Sequence, residues 1–289
     1  MHQLTNDQFS VEIAERGAEI RSIRDRRGDE WLWHGDPAWW SGRSPLLFPV
    51  VGRSPENLVS IGGHDYPMLS HGFARTSEFA VASASPEAVS LTLTDCDATR
   101  AAFPFTFALT LDYGLAGSTL TATATVANRD SKAMPFQFGF HPGFAWPLPG
   151  SAGRSHRIEL GNGGEPPLRR LDDDKALRAD SLPSPFSAGT LVVEPAMFAD
   201  DAMIFPAGIG DRIAFVAEGG ARLDMVTANL PNFALWQKPG APFLCLEPWR
   251  GTAPLAGAGN ALETRHGSLT LAPGDSARFE MMMTFTPVG

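Results

Sequence analysis

Alternation of apolar and polar side chains is strongest in the middle of the chain. Phe105, Phe107, Leu109, Leu111 and Tyr113 alternate with Thr106, Ala108, Thr110 and Asp112. A period of two places every second side chain on one face of a strand, and here that face is apolar. Gly114 to Ser118 reads as a turn, after which Leu120, Ala122, Ala124 and Val126 alternate with Thr121, Thr123 and Thr125. The pair predicts an antiparallel hairpin, closed at its far end by Asn128-Arg129-Asp130. The pattern returns near the C-terminus, where Leu269 and Leu271 precede the turn Ala272-Pro273-Gly274-Asp275 and Ala277, Phe279, Met281, Met283 and Phe285 then share a face. Phe9, Val11 and Ile13, and again Val89, Leu91 and Leu93, repeat it elsewhere. Only two short pieces, 37–40 and 98–102, read as helical.

Composition strengthens this reading. The 289 residues include 29 Gly and 24 Pro, with 19 Phe, 7 Trp and only 2 Tyr. So many helix breakers beside so many aromatics predict an all-β chain of short strands joined by turns. The segments 146–157 and 179–190 are rich in Pro, Gly and Ser, but neither divides regions of different composition. Residues 1–289 are therefore expected to form one domain, a size that large β folds reach as single units.

Charge and cysteine content remove several classes of function. With 23 Lys and Arg against 32 Asp and Glu, the net charge is −9. Binding to nucleic acid is not expected, because it needs a positive surface that displaces counterions from phosphates. No apolar run is long enough to cross a membrane as a helix. The N-terminus, Met1 to Asp7, has neither a basic stretch nor an apolar one, so no signal peptide and a cytoplasmic location are expected. Cys96 and Cys245 lie far apart and lack metal-ligand spacing. They read as two thiols of a reducing compartment, with a disulfide as the alternative. The acidic run Asp172-Asp173-Asp174 reads as a solvated turn, since adjacent carboxylates do not converge on a metal easily.

Three segments set polar groups in surroundings that make them chemically interesting. In Met134-Pro135-Phe136-Gln137-Phe138-Gly139-Phe140-His141-Pro142-Gly143-Phe144 the three Phe from 136 to 140 fall on one face, and Gln137, Gly139 and His141 on the other. Pro142-Gly143 ends the strand and places His141 at a rim, facing the same side as Gln137; the plainer alternative is a histidine that merely satisfies a backbone carbonyl. In Phe243-Leu244-Cys245-Leu246-Glu247-Pro248-Trp249-Arg250, Glu247 shares a buried face with Cys245 and Phe243. A carboxylate at that depth is costly unless paired or functional, and burial raises its pKa toward the range of a general base. An ion pair with Arg250 or another arginine is the structural alternative. The third segment joins Phe48-Pro49-Val50-Val51-Gly52-Arg53 with Leu69-Ser70-His71-Gly72-Phe73-Ala74-Arg75, where a cation or an imidazole adjoins glycine in a turn. Trp236 ends a strand beside Gln237 and Lys238, either as core or as a platform for a sugar ring. Asp200 and Asp201 precede the apolar Ala202-Met203-Ile204-Phe205. No phosphate-binding loop, nucleophile elbow or dinucleotide fingerprint is present.

Taken in order, Leu47-Phe48-Pro49 with Gly52-Arg53, His71-Gly72-Phe73-Ala74-Arg75, Gly139-Phe140-His141-Pro142-Gly143-Phe144 and Cys245-Leu246-Glu247-Pro248-Trp249 resemble the aldose 1-epimerases, or galactose mutarotases. The likeness is strongest to the bacterial LacX-like subgroup. The resemblance implies a large antiparallel β-sandwich of the galactose-mutarotase type, a supersandwich, with an open cleft on one sheet. It also implies interconversion of the α and β anomers of a free hexose, with no metal and no other cofactor. His141 is then the acid toward the ring oxygen and Glu247 the base toward the C1 hydroxyl. An imidazolium titrating near neutrality and a carboxyl raised by burial suit those tasks. Arg53, His71 and Asp201 are implied as sugar contacts, with Asp200 the alternative to Asp201, and Arg75 as a contact or an orienter; Gln137 and Trp236 are expected as sugar contacts from their own placement. Gly143 stands where better-known mutarotases carry a bulkier residue, which predicts more room beside the sugar, so that a preference for galactose does not carry over. Two other functions fit the same residues: an epimerase of hexose 6-phosphates, for which Arg53 and Arg75 are candidate phosphate ligands, and a non-catalytic sugar-binding module. The expected partner is a small sugar, and the expected state a monomer or homodimer.

Overall fold

The computed structural model describes residues 1–289. Twenty-two strands carry nearly all of its regular structure, and Asp97–Ala102 is the one α-helix. The segment at 37–40, expected to be helical, is instead a tight turn in which Trp39 and Trp40 both donate their backbone N–H to the Asp36 carbonyl.

Nine antiparallel strands form the larger sheet. The predicted hairpin of Phe107–Ala116 and Thr119–Asn128 lies within it, with Ser276–Thr286 on one side and Ala88–Thr94 on the other. Alternation is clean there: Phe279, Met281, Met283 and Phe285 are buried, and the residues between them are not. The smaller sheet runs in the order Met203–Phe205, Asn232–Trp236, Phe243–Arg250, Phe138–Phe140 and Leu46–Leu47, and Gly143–Ala145 also pairs with Phe243–Arg250. A further three-stranded sheet, His2–Thr5, Phe9–Ile13 and Ile20–Asp25, closes one side, where Phe9 and Trp31 both pack on Phe285.

The main core lies between the two large sheets. Phe138 stacks on Phe279 with ring centres 5.0 Å apart, so the strand that leads to His141 is anchored through its back face, as expected for Phe136, Phe138 and Phe140. Burying a side chain of this size contributes about 1.5–3 kcal/mol. One continuous apolar cluster draws residues from Leu4 to Phe285, across both Pro- and Gly-rich loops. On the smaller sheet the side chains that face away from this core, Leu47, Ile204, Ala234, Cys245 and Trp249 among them, form two further apolar patches. Both faces of that sheet are therefore covered, and its strands read as apolar runs without alternation.

Two strand expectations need correction. The stretch from Met134 to Phe140 is not one strand. It breaks at Gln137 into Met134–Phe136, which pairs with Leu269–Leu271, and Phe138–Phe140, which belongs to the smaller sheet. Leu269–Leu271 accordingly does not form a hairpin with Ser276–Thr286. The fully buried Gln137 side chain sits at the break and binds three backbone groups that would otherwise be unpaired: Oε1 accepts from Val51 N–H at 2.9 Å, and Nε2 donates to the carbonyls of Thr252 at 3.2 Å and His266 at 3.1 Å.

Candidate active site

The outer face of the smaller sheet carries a cleft of about 290 Å³. Two carriers of chemistry form its floor. Glu247 projects from the middle of strand Phe243–Arg250 and lies opposite Ala234, whose small side chain leaves it room. His141 follows strand Phe138–Phe140 directly and is placed there by Pro142, which breaks the strand. The two meet with His141 Nε2 3.2 Å from Glu247 Oε2, and their side chains are 10% and 2% exposed. Glu247 thus pairs with an imidazole and not with an arginine.

Burial sets their proton affinities in opposite directions. It raises the Glu247 carboxyl well above the ordinary carboxylate range, assisted by the negative charge of Asp201. It lowers His141 well below the ordinary imidazole range, assisted by the neighbouring His71. His141 is therefore not the near-neutral imidazolium expected from its residue type. Desolvation penalises the charged form of each group, so burial shifts the dyad toward a proton on the carboxyl side.

His71 reaches the same floor from a loop. Its backbone N–H donates to the Gly52 carbonyl at 2.9 Å, and the Gly52 N–H donates back to His71 Nδ1 at 3.2 Å. This reciprocal pair fastens segment 69–75 to segment 48–53 and leaves the ring proton on Nε2. Burial, then the charge of Arg75, push His71 down to about 3, so it is a neutral donor at working pH. Its ring stands edge-on to His141 at 5.7 Å. Gly72 permits the fastening: its φ is +75°, and a Cβ there would lie 2.1 Å from the Phe48 carbonyl oxygen.

Aromatic rings line one side. Trp40 lies 5.0 Å from the His141 ring and 5.4 Å from Trp236, while Trp236 stands 5.8 Å from His141. The extra room expected beside Gly143 does not exist, because the Trp40 indole fills it; a Cβ on Gly143 would sit 3.0 Å from that ring. Gly139 similarly yields its side-chain space to Trp249, at 2.5 Å.

Polar groups line the other side. Asp201, and not Asp200, faces the cleft, where its Oδ2 accepts from Lys175 Nζ at 2.8 Å. His71, Lys175 and Asp201 all carry positive φ, between 65° and 66°, which is costly for side chains of their kind and clusters at functional sites. Arg53 and Arg75 also line the cleft, and neither forms an ion pair within the chain.

Of the residues singled out in the sequence, His141, Glu247, Arg53, His71, Arg75, Asp201 and Trp236 meet in this one cleft. Gln137 does not. Its expected place beside His141 as a sugar contact is wrong, because the carboxamide is fully buried and committed to backbone partners. Trp40, Ser70, Lys175 and Trp249 line the cleft without having been anticipated as contacts. For Trp40 the signal was present, an aromatic pair in a turn-rich stretch. For Lys175, next to an acidic run read as solvent-facing, there was none.

Three ligand-type side chains converge on the floor: donor atoms of His141, Cys245 and Glu247 lie within 4.8 Å of one another. Burial raises the Cys245 thiol well above its ordinary range, so it stays protonated and is a poor metal ligand. Cys96 is exposed and also free, and no disulfide joins the two. No helix is long and apolar enough to cross a membrane.

Comparison with known proteins places this arrangement. A family model described as aldose 1-epimerase matches residues 1–284. The structure superposes on a galactose mutarotase-like protein from Lactobacillus casei with a TM-score of 0.93 and 27% identity, covering 99% of this chain and 100% of the other. It superposes on a galactose mutarotase related enzyme from Lactobacillus acidophilus with a TM-score of 0.92 and 26% identity, covering 99% and 97%. The chromosomal LacX protein of Lactococcus lactis is 25% identical over 287 residues, 96% of each chain. The all-β architecture of two large antiparallel sheets is thus the galactose-mutarotase type.

Proposed function

The chain belongs to the aldose 1-epimerase family, and on that premise we propose that it is a mutarotase acting on a free hexose. What supports this reading most is the approach of His141 Nε2 to Glu247 Oε2 at 3.2 Å on the floor of a cleft the size of a sugar. Mutarotation needs one proton delivered to the ring oxygen and one taken from the C1 hydroxyl. A dyad that holds one proton supplies both at no net change. The proton first passes from Glu247 Oε2 to His141 Nε2 across their 3.2 Å contact; Glu247 then accepts the C1–OH proton while His141 gives its own to the ring oxygen. The C1–O5 bond breaks, C1 becomes an aldehyde, and rotation about C1–C2 presents its other face. Closure runs the same transfers backward and gives the other anomer.

The residues around the dyad suit this task. A sugar in the cleft excludes water, which strengthens each interaction with developing charge. His71, neutral and protonated on Nε2, offers a hydrogen-bond donor beside His141. Trp236 and Trp40 offer apolar faces to the C–H side of the ring, and Asp201 and Lys175 offer hydrogen bonds to its hydroxyls. Each of the two proton-transfer groups is expected to contribute about 10²–10⁴-fold in rate.

One observation favours a second reading. Arg53 and Arg75 stand at the cleft as guanidiniums without ion-pair partners, and two such groups bind a phosphate well. The protein would then act on hexose 6-phosphates.

Polarimetry separates the two. Pure α-glucose, α-galactose and α-glucose 6-phosphate are dissolved with and without the protein. Faster approach to equilibrium rotation for a free hexose supports the first reading. Acceleration confined to the phosphate supports the second. Sugar binding with no acceleration of any of them would leave a non-catalytic sugar-binding protein.

A further inference from the structure

Trp249 lines the floor of the cleft and has no part in the proton transfers. It stands two residues after Glu247 on strand Phe243–Arg250, so both side chains leave the same face of the sheet. Glu247 lies opposite Ala234, and Trp249 lies opposite Gly139. The indole leans over that glycine: a Cβ on Gly139 would be 2.5 Å from Trp249 Cδ1 and 3.2 Å from Leu47 Cδ1. Gly139 is not among the glycines of positive φ, so it is the indole and not the backbone that calls for glycine there. Nε1 is bonded to Cδ1, and its N–H is buried without a well-aligned acceptor in the chain. It lies near enough to the Glu247 carboxyl to act on it. Burial, then Asp201, raise the proton affinity of Glu247, and the Trp249 N–H works against both. An indole N–H donates and cannot accept, so it favours the carboxylate over the protonated carboxyl.

We propose that Trp249 is a positioning residue for Glu247, its indole N–H closing on the carboxylate that forms when the dyad's proton passes to His141. The inference rests on the mutarotase reading and adds to it a donor that makes this transfer less costly. Burial shifts the proton toward the carboxyl, whereas ring opening needs Glu247 ionised and His141 protonated. A hydrogen bond to a charged acceptor is stronger than one to a neutral acceptor. The N–H therefore gains strength as the carboxyl loses its proton, and it stabilises the form that reacts more than the form that rests. Gly139 leaves the space in which the indole lies, and Leu47 bounds that space on the far side. The other ionisable groups around Glu247 are Cys245 on its own strand, His141 with His71 beside it, Asp201 with Lys175, and Arg53 and Arg75 on the cleft wall. None of them is altered in a variant of Trp249, so a change in the titration of Glu247 reports the indole N–H.

Trp249→Phe keeps an aromatic ring over Gly139 and removes the N–H. By polarimetry with the hexose that the parent accelerates, kcat is expected to fall about tenfold or more while KM stays within about threefold. The alkaline limb of kcat/KM, where the free dyad loses its last proton, is expected to move to higher pH by about half a pH unit or more, because the carboxylate has lost a donor. Gly139→Ala keeps the N–H but displaces the indole, and should move the same limb the same way. The double variant should move it no further than Trp249→Phe does. A raised KM with kcat and the limb unchanged would make Trp249 a wall for the sugar and overturn the proposal. A lower kcat with the limb in place would overturn it too. Should the parent accelerate no sugar, the mutarotase reading falls, and NMR of the Glu247 carboxyl carbon, assigned by its absence in Glu247→Gln, decides the inference alone. A midpoint higher in Trp249→Phe than in the parent sustains it; an equal or lower one overturns it.

Discussion

His141 Nε2 and Glu247 Oε2 lie 3.2 Å apart in a pocket that leaves the carboxyl 2% exposed. An imidazole lowered and a carboxyl raised by the same burial act as one unit that holds one proton. The two residues should then fail together. His141→Asn and Glu247→Gln are each expected to lower kcat by about 10²–10⁴-fold, and the double variant little further than the worse single one. Additive losses in polarimetric rates would show two independent groups instead.

The same burial has a sign in stability. Glu247 keeps its proton to higher pH in the folded chain than the ordinary 4.5. Its favourable contribution is complete below that unfolded value and is lost as pH rises through the raised folded one. Glu247→Gln removes the loss. In urea unfolding the variant should gain on the parent steadily from pH 5 to pH 8, reaching ~1 kcal/mol or more. A gap that does not widen would mean that burial does not hold the proton on the carboxyl.

His71, pushed down to about 3, should not titrate in the working range. Its imidazole resonances in NMR are expected to stay constant from pH 5 to pH 8 and to show the Nε2–H tautomer. A midpoint for His71 near neutrality would contradict the buried, Gly52-bound ring.

Gln137 should affect folding and not sugar binding. Gln137→Leu strands the Val51 N–H and the carbonyls of Thr252 and His266, at an expected cost of about 2–4 kcal/mol. In the protein that still folds, KM for the sugar should remain within about threefold of the parent. A large KM effect with unchanged stability would return Gln137 to the site.

Two glycines with positive φ separate backbone strain from steric contact. Gly62→Ala meets nothing within 4 Å and should cost only the strain of its conformation, about 1 kcal/mol. Gly72→Ala drives a Cβ to 2.1 Å from the Phe48 carbonyl and must part segments 48–53 and 69–75. It is expected to cost more than ~3 kcal/mol and to lower activity through His71. Similar midpoints for the two variants in urea would overturn the fastening role.

The parts legible in the sequence were those whose physics is local. Thr119–Asn128 and Ser276–Thr286 belong to a sheet with one face packed and one more open, so their alternation shows directly. Met203–Phe205 and Asn232–Trp236 are covered on both sides and too short to display a period. The break at Gln137 was not legible because its cause is a set of backbone groups far along the chain. Pro142 after His141 and the apolar run before Glu247 were local marks of a strand end and of an unusually deep carboxyl, and both pointed to the cleft.

By itself, the sequence determined the all-β class, the central hairpin, and the candidacy of His141 and Glu247, because turn residues, period-two faces and a carboxyl in an apolar run are written within a few positions. Only the tertiary structure decided that the two lie 3.2 Å apart, that Asp201 and not Asp200 faces them, that Trp40 fills the space beside Gly143, and that Gln137 belongs to the framework. These depend on which strands become neighbours. Strand pairing brings residues more than a hundred positions apart into contact, and burial then fixes where their protons reside.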